Sequence, residues 1–77
     1  MKIKVMLFGV LTDVVKKQQL EVSNVNNTEE LLNRLISDYS EIGKYTFRVF
    51  VNKKQISGSK TLKEGDEVAL LPPFAGG

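Results

Sequence analysis

The sequence has no cysteine and no histidine among its 77 residues. Without cysteine there is no disulfide staple, thiolate zinc site or cysteine nucleophile. Without histidine the usual general base, the commonest metal ligand and every Ser-His or Cys-His catalytic pair are excluded, and no metal site is expected. Arginine is scarce as well, with Arg34 and Arg48 alone. Eleven basic residues stand against nine acidic ones for a formal charge of +2, and only Lys16-Lys17 and Lys53-Lys54 are adjacent basic pairs. A phosphate-tracking surface needs a denser basic stripe with forking guanidiniums, so nucleic acid is not an expected partner. The lysines read as solvated turn and strand-edge residues. Long apolar runs are missing too. Val5 to Leu11, interrupted by Gly9, is too short to cross a bilayer. Met1-Lys2-Ile3-Lys4-Val5 alternates where a signal peptide would run apolar. No membrane association is expected, and a cytoplasmic address follows.

What is present suits one small folded domain. Hydrophobic residues make up 42% and charged residues 26%, which argues against disorder. A chain of this length buries about 60% of its unfolded surface, enough for a minimal core.

Lys2 to Phe8 alternates, with Ile3, Val5 and Leu7 on one side and Lys2, Lys4, Met6 and Phe8 on the other, which predicts a strand with one buried face. Gly9 breaks the pattern. Val10-Leu11 and Val14-Val15 have the spacing of a short helix running to Lys17, whose lysine pair suits a C-terminal end. Gln19 to Val22 alternates again, so an N-terminal hairpin with an expanded loop is expected. Ser23 to Asn27 is a polar loop before the clearest helix, which Asn27 or Thr28 caps, with Glu29 and Glu30 at its positive end. Leu31, Leu32, Leu35, Ile36 and Tyr39 form its apolar stripe, and Arg34 and Asp38 have the spacing of a weak surface pair. Gly43 is a candidate terminator. Phe47 to Val51 alternates, Asn52 to Gln55 is a hairpin-length turn and Ile56 returns the chain. Leu62 is an isolated apolar anchor before the Lys63 to Asp66 turn, and Glu67 to Leu71 is the last strand.

Strands around one amphipathic helix imply an α+β fold with a mixed sheet packed on that helix, the β-grasp or ubiquitin-like architecture. Residues 1–71 are the expected β-grasp domain and 72–77 an extended C-terminal tail. Pro72 cannot donate to a ladder and stops the strand, Pro73 keeps the chain extended, and six residues reach about 20 Å. Gly76-Gly77 has no side chains and suits a narrow channel. Two terminal glycines arise by chance in about 0.5% of chains at ordinary glycine usage. A frayed end is the bland alternative to a functional arm. In a chain without cysteine or histidine, the Gly77 carboxylate is an accessible group on a long, thin arm and is the candidate reacting centre.

The run Gly65-Asp66-Glu67-Val68-Ala69-Leu70-Leu71-Pro72-Pro73-Phe74-Ala75-Gly76-Gly77 resembles the C-terminus of the small, sulfur-carrying subunits of molybdopterin synthase, of the MoaD/ThiS ubiquitin-like family. The resemblance extends to Leu7-Phe8-Gly9 with the following short helix and to Phe50-Val51-Asn52-Lys53, although the family often has alanine where this chain has Gly9. It implies a non-catalytic sulfur-donor subunit whose catalytic side chains lie on a large subunit, the two forming a heterotetramer. An E1-like adenylyltransferase would use ATP to adenylate Gly77, and a sulfur donor system would convert the adenylate to a thiocarboxylate. The tail from Pro72 to Gly77, including Gly76, would then enter the large subunit and give sulfur to cyclic pyranopterin monophosphate. The chain itself would bind no cofactor. A ThiS-type carrier for thiamine thiazole synthesis is the alternative within the fold; those shorter carriers generally lack the Val10 to Lys17 segment and the proline pair. A ubiquitin-like protein modifier is the alternative in function.

If Ile3, Val5, Leu7, Val49, Val51, Val68 and Leu70 face the helix, then Met6, Phe8, Phe50, Ala69 and Leu71 share the open face, an apolar area that marks an interface. Leu71, Pro72, Pro73, Phe74 and Ala75 continue that candidate partner-binding set into the tail. Phe74 lies beyond the proline stop and reads as an anchor in the partner. Phe74→Ala is expected to weaken binding to a large synthase subunit, and unchanged affinity by calorimetry removes that role.

Overall fold

A computed structural model describes residues 2–73. The elements follow in the order β1 (Lys2–Leu7), α1 (Val10–Val15), β2 (Gln19–Ser23), α2 (Thr28–Asp38), a 3-10 helix (Ser40–Lys44), β3 (Arg48–Val51), β4 (Lys54–Gln55) and β5 (Glu67–Leu71). The five strands form one mixed sheet in the order β2-β1-β5-β3-β4. β1 and β5 are parallel at its centre, with Val5 beside Val68 and Leu7 beside Leu70. The other pairs, β1 with β2, β3 with β5 and β3 with β4, are antiparallel. This is the β-grasp arrangement that the order of elements predicts.

The alternating strands put Ile3, Val5, Leu7, Val22, Val51, Val68 and Leu70 into the core. There they meet Leu31 and Leu35 of α2, Leu11 and Val15 of α1, Ile42 of the 3-10 helix and the isolated Val25 and Leu62. Val49 packs against this cluster from the same side. Fully burying each such side chain contributes about 1.5–3 kcal/mol, so the core rather than helix propensity holds these short elements.

α1 ends at Val15, two residues sooner than its apolar spacing and lysine pair suggest. Lys16 adopts the left-handed conformation (φ 65°), and its N–H closes on the Thr12 carbonyl at 2.7 Å, which stops the helix without a glycine. At the other end Gly9 has φ 58° and ψ −136°, a conformation strained for any residue with a side chain. It turns the chain sharply out of β1.

Asn27 caps α2, its side-chain oxygen accepting the Glu30 N–H at 2.8 Å. Glu30 reaches back to the N–H of Asn26, one residue outside the usual capping box. The predicted stripe is shifted. Leu31 and Leu35 are buried, Leu32 and Tyr39 are partly buried and Ile36 is 37% exposed. At about 100° per residue Thr28 lies on the same side as Leu31 and Leu35, and Ile36 falls at the edge. Arg34 donates to the Ser23 carbonyl at 3.2 Å instead of pairing with Asp38. Gly43 is not the terminator: α2 ends at Tyr39, and Gly43 sits within the 3-10 helix, where Ile36 packs close to its backbone.

The β3–β4 hairpin turns on Asn52 and Lys53, both at positive φ (49° and 73°), as a two-residue turn matched to strand twist requires. β4 is confined to Lys54–Gln55, and Ile56 continues the return only through its N–H to the Val49 carbonyl at 3.0 Å.

Thr28 is the one buried polar residue among those described, at 1% exposure. Its Oγ1 accepts the Lys60 N–H at 2.9 Å, and its own N–H donates to the Lys60 carbonyl at 2.9 Å. This two-way bond ties the loop before Leu62 to the start of α2, alongside an Asn27–Thr61 bridge. Thr28→Val keeps the shape but strands the Lys60 N–H, so it is expected to cost about 1–3 kcal/mol in urea denaturation. Thr28→Ser, which keeps the hydroxyl, is expected to cost less than Thr28→Val.

Candidate functional site

The face of the sheet opposite α2 carries the residues singled out for partner binding. Alternation and register set them in rows. Met6 and Phe50 flank Ala69, with Gln19 beyond Met6 and Gln55 beyond Phe50. Towards the chain's exit from the sheet, Arg48 lies opposite Leu71, and Phe8 follows β1 just past the Leu7–Leu70 pair. In the other direction the face turns polar: Lys4 stands between Glu21 and Glu67, and Lys2 faces Ser23. Met6, Phe50, Ala69 and Leu71 are half-buried, and Phe8 is 40% exposed. The open face therefore has an apolar half beside the tail and a charged half away from it.

Two recesses border the apolar half. One, of about 330 Å³, is lined by Met6, Leu7, Phe8, Gly9, Thr12 and Gln18. The Thr12 hydroxyl donates to the Leu7 carbonyl at 3.1 Å and helps fix its floor. The second, of about 260 Å³, is lined by Arg48, Phe50, Leu71, Pro72 and Pro73. In sequence a single arginine on a strand carries no local pattern. Only its register beside Leu71 brings it to the base of the tail.

β5 ends at Leu71. Pro72 follows half-buried, and Pro73 lies in a turn, not in the continuous extended run that the proline pair suggests. A proline's fixed φ suits a turn as well as an extended chain. Phe74, Ala75, Gly76 and Gly77 lie outside the described residues.

The start of β5 is held by side chains that read in sequence as turn solvation. Asn52 Nδ2 donates to Asp66 Oδ1 at 3.0 Å, while Asn52 Oδ1 accepts the Glu67 N–H at 3.0 Å. The Lys63 N–H donates to Asp66 Oδ2 at 2.8 Å. Gly65, at φ 83°, lets the turn close so tightly. Glu64 accepts the Lys2 N–H at 2.9 Å, and Glu67 lies 3.9 Å from Lys4. These carboxylates brace the sheet around β5. The bond from Asn52, then that from the Lys63 amide, holds the Asp66 carboxyl below its ordinary 3.8 against a smaller opposing effect of burial. Among the described residues no cluster of acidic side chains is arranged to hold a metal ion, and no helix is long and apolar enough to cross a membrane.

A β-grasp domain whose central strand delivers an arm beside an apolar face has the form of a ubiquitin-like carrier. The chain belongs to the ThiS family, whose sequence profile matches residues 5–77. It is 32% identical to the molybdopterin synthase sulfur carrier subunit of Chlamydomonas reinhardtii, the alignment spanning all of both chains. With the subunit of that name from Mycobacterium tuberculosis it shares 31% identity over 99% of this chain and 98% of the other. Among solved structures, the molybdopterin converting factor subunit 1 of Pyrococcus furiosus superposes with a TM-score of 0.87 at 19% identity, over 95% and 98% of the two chains. The small archaeal modifier protein 1 of Methanosarcina acetivorans gives 0.83 at 23%, over 99% and 96%. The complex of subunits 1 and 2 of the molybdopterin-converting factor from Helicobacter pylori contains a match at 0.74 and 25%, covering both chains fully. The family resemblance read from the C-terminal motif is thereby confirmed.

A lowered Asp66 pKa means that the folded chain binds this proton less readily than the unfolded one. The resulting stability is fully present above the ordinary aspartate value and is lost as pH falls through the folded-state pKa. Melting temperatures measured from pH 7 to pH 3 are expected to fall less steeply for Asp66→Asn than for the native chain, the two curves converging below about pH 4. Parallel curves would remove Asp66 from the acid response.

Proposed function

We propose that this chain is a sulfur carrier in molybdenum cofactor biosynthesis, acting through its C-terminal glycine. The observation that carries the reading is the full-length identity of 31–32% to two molybdopterin synthase sulfur carrier subunits, in a family match that runs through Gly77. The Gly77 carboxylate attacks the α-phosphorus of ATP on an E1-like activating enzyme, and pyrophosphate leaves. Sulfide delivered by the donor system then attacks the acyl carbon and displaces AMP, leaving a Gly77 thiocarboxylate and a proton. The tail carries that sulfur into the large synthase subunit, where cyclic pyranopterin monophosphate receives it. The large subunit supplies the catalytic side chains, and two copies of each subunit assemble. ATP belongs to the activating enzyme, and this chain binds no cofactor.

The composition supports this division of labour. A thiocarboxylate is a sulfur nucleophile that stays ionised at neutral pH, so the carrier needs no cysteine of its own. A chain without thiols also cannot lose its cargo by internal thiol–disulfide exchange. Gly76-Gly77 presents no Cβ to a narrow channel, while the apolar half of the open face, with Met6, Phe8, Phe50 and Leu71, supplies contact area beside the arm. The likeness to the archaeal modifier is one of fold, and α1 with the Pro72-Pro73 pair favours the molybdopterin reading over a thiazole carrier.

The absence of cysteine makes the test clean. The chain ending at Gly77 is incubated with ATP, the activating enzyme and a sulfur donor, then treated with a thiol-alkylating reagent and digested. One alkyl group on the peptide containing Pro72 to Gly77 is the expected mass-spectrometric result. Peptide-level assignment is needed because methionine sulfoxide nearly matches an oxygen-to-sulfur exchange in mass. No label after complete incubation would overturn the carrier reading, and high-mass conjugates would favour a protein modifier.

A further inference from the structure

The strands place three cations on the open face, and two of them are neutralised within the chain. Lys2 lies 3.9 Å from Glu21, and Lys4 lies 3.9 Å from Glu67. The third is Arg48, which makes no ion pair or side-chain hydrogen bond among the described residues. Register explains why. Arg48 faces Leu71, and the nearest carboxylate on β5 is Glu67, four residues down that strand. Four residues of strand are about 13 Å, beyond the screening length of about 8 Å in physiological salt. The side chains from Pro72 to Gly77 bring no carboxylate either.

Arg48 is exposed, and it stands at the rim of a recess. Phe50, Leu71, Pro72 and Pro73 form the other walls of the 260 Å³ cleft. A planar guanidinium offers a fixed fork of donors that matches a carboxylate in two parallel bonds, and apolar walls shield such a pair from water when a partner covers them. The unmatched charge selects an acidic occupant and disfavours a basic one.

We propose that Arg48 and this cleft receive an acidic side chain of the second synthase subunit, the protein into which the tail is threaded; this rests on the sulfur-carrier reading above. The pair fixes the root of the arm. A flexible arm whose base is held at one point loses less freedom on insertion than one whose base is loose, and its direction is set before the glycines reach their channel. Arg48 is thus a positioning residue that touches neither the sulfur nor the substrate.

The test is calorimetric titration of the whole chain into the second subunit from the same organism, at low and at physiological salt. Arg48→Gln is expected to weaken binding about tenfold at low salt and to flatten the dependence of affinity on salt. Arg48→Lys, which keeps the charge without the fork, should recover only part of the loss. Melting temperatures should not move, because Arg48 has no ion-pair or hydrogen-bond partner among the described residues. Affinity within about twofold of native for Arg48→Gln overturns the proposal, since exposed charges of no consequence behave that way. An unaltered salt dependence overturns it too, leaving a purely steric contact. If the variant binds the second subunit normally but is adenylated more slowly, the cleft serves the activating enzyme and the proposal falls. A native chain that fails to bind the second subunit overturns the carrier reading itself, an outcome distinct from native binding that is indifferent to Arg48.

Discussion

The parallel pairing of β1 with β5 is the constraint on which the rest of this small domain depends. Parallel neighbours cannot be joined by a tight turn, so the chain between them must cross one face of the sheet, which it does between β2 and β3. α2 is the principal element of that crossover, and its buried face covers the pair. Ile3, Val5, Val68 and Leu70 are each at 0% exposure as a result. Because β5 lies between β1 and β3, the chain leaves the sheet at its centre. The residues at the corresponding ends of β1 and β3 become the walls around the arm. Arg48 borders Pro72 and Pro73, and Phe8 follows the end of β1, for this topological reason, although 40 positions of sequence separate them from each other.

The second dependence is on the bonds that keep β5 in register. A strand at the centre of the sheet needs its starting end fixed to keep its register. Asn52 does this from the β3–β4 turn, its backbone N–H donating to the Glu67 carbonyl at 2.8 Å while its side chain bonds Glu67 and Asp66. Asparagine serves because it tolerates the positive φ of the turn and offers both a donor and an acceptor. The Thr28–Lys60 exchange does the same for the loop leading to Leu62. Each replaces what a larger domain obtains from additional core.

The division between an apolar half-face at the arm and a charge-paired half-face away from it fits a protein that is handed between partners. The charge-paired half favours solubility, and the apolar half offers contact area.

Composition and alternation determined much of this from sequence. Period-2 patterning is a local property, and it assigned Ile3, Val5, Leu7, Val51, Val68 and Leu70 to the buried face and Met6, Phe50 and Leu71 to the open one. A single shift of register would have reversed every one of these assignments. The C-terminal motif carried the family because its residues are contiguous. Where α1 stops, why Ile36 stays exposed and why Gly43 ends no helix depended on packing between elements, which no window of a few residues contains. The same is true of Thr28, Asn52 and Asp66, whose partners lie 14 to 32 residues away. In sequence they are ordinary cap and turn residues. Arg48 is the clearest case: one arginine in an alternating strand says nothing, and only antiparallel pairing with Leu71, 23 positions along the chain, sets it at the base of the arm without a carboxylate to answer it.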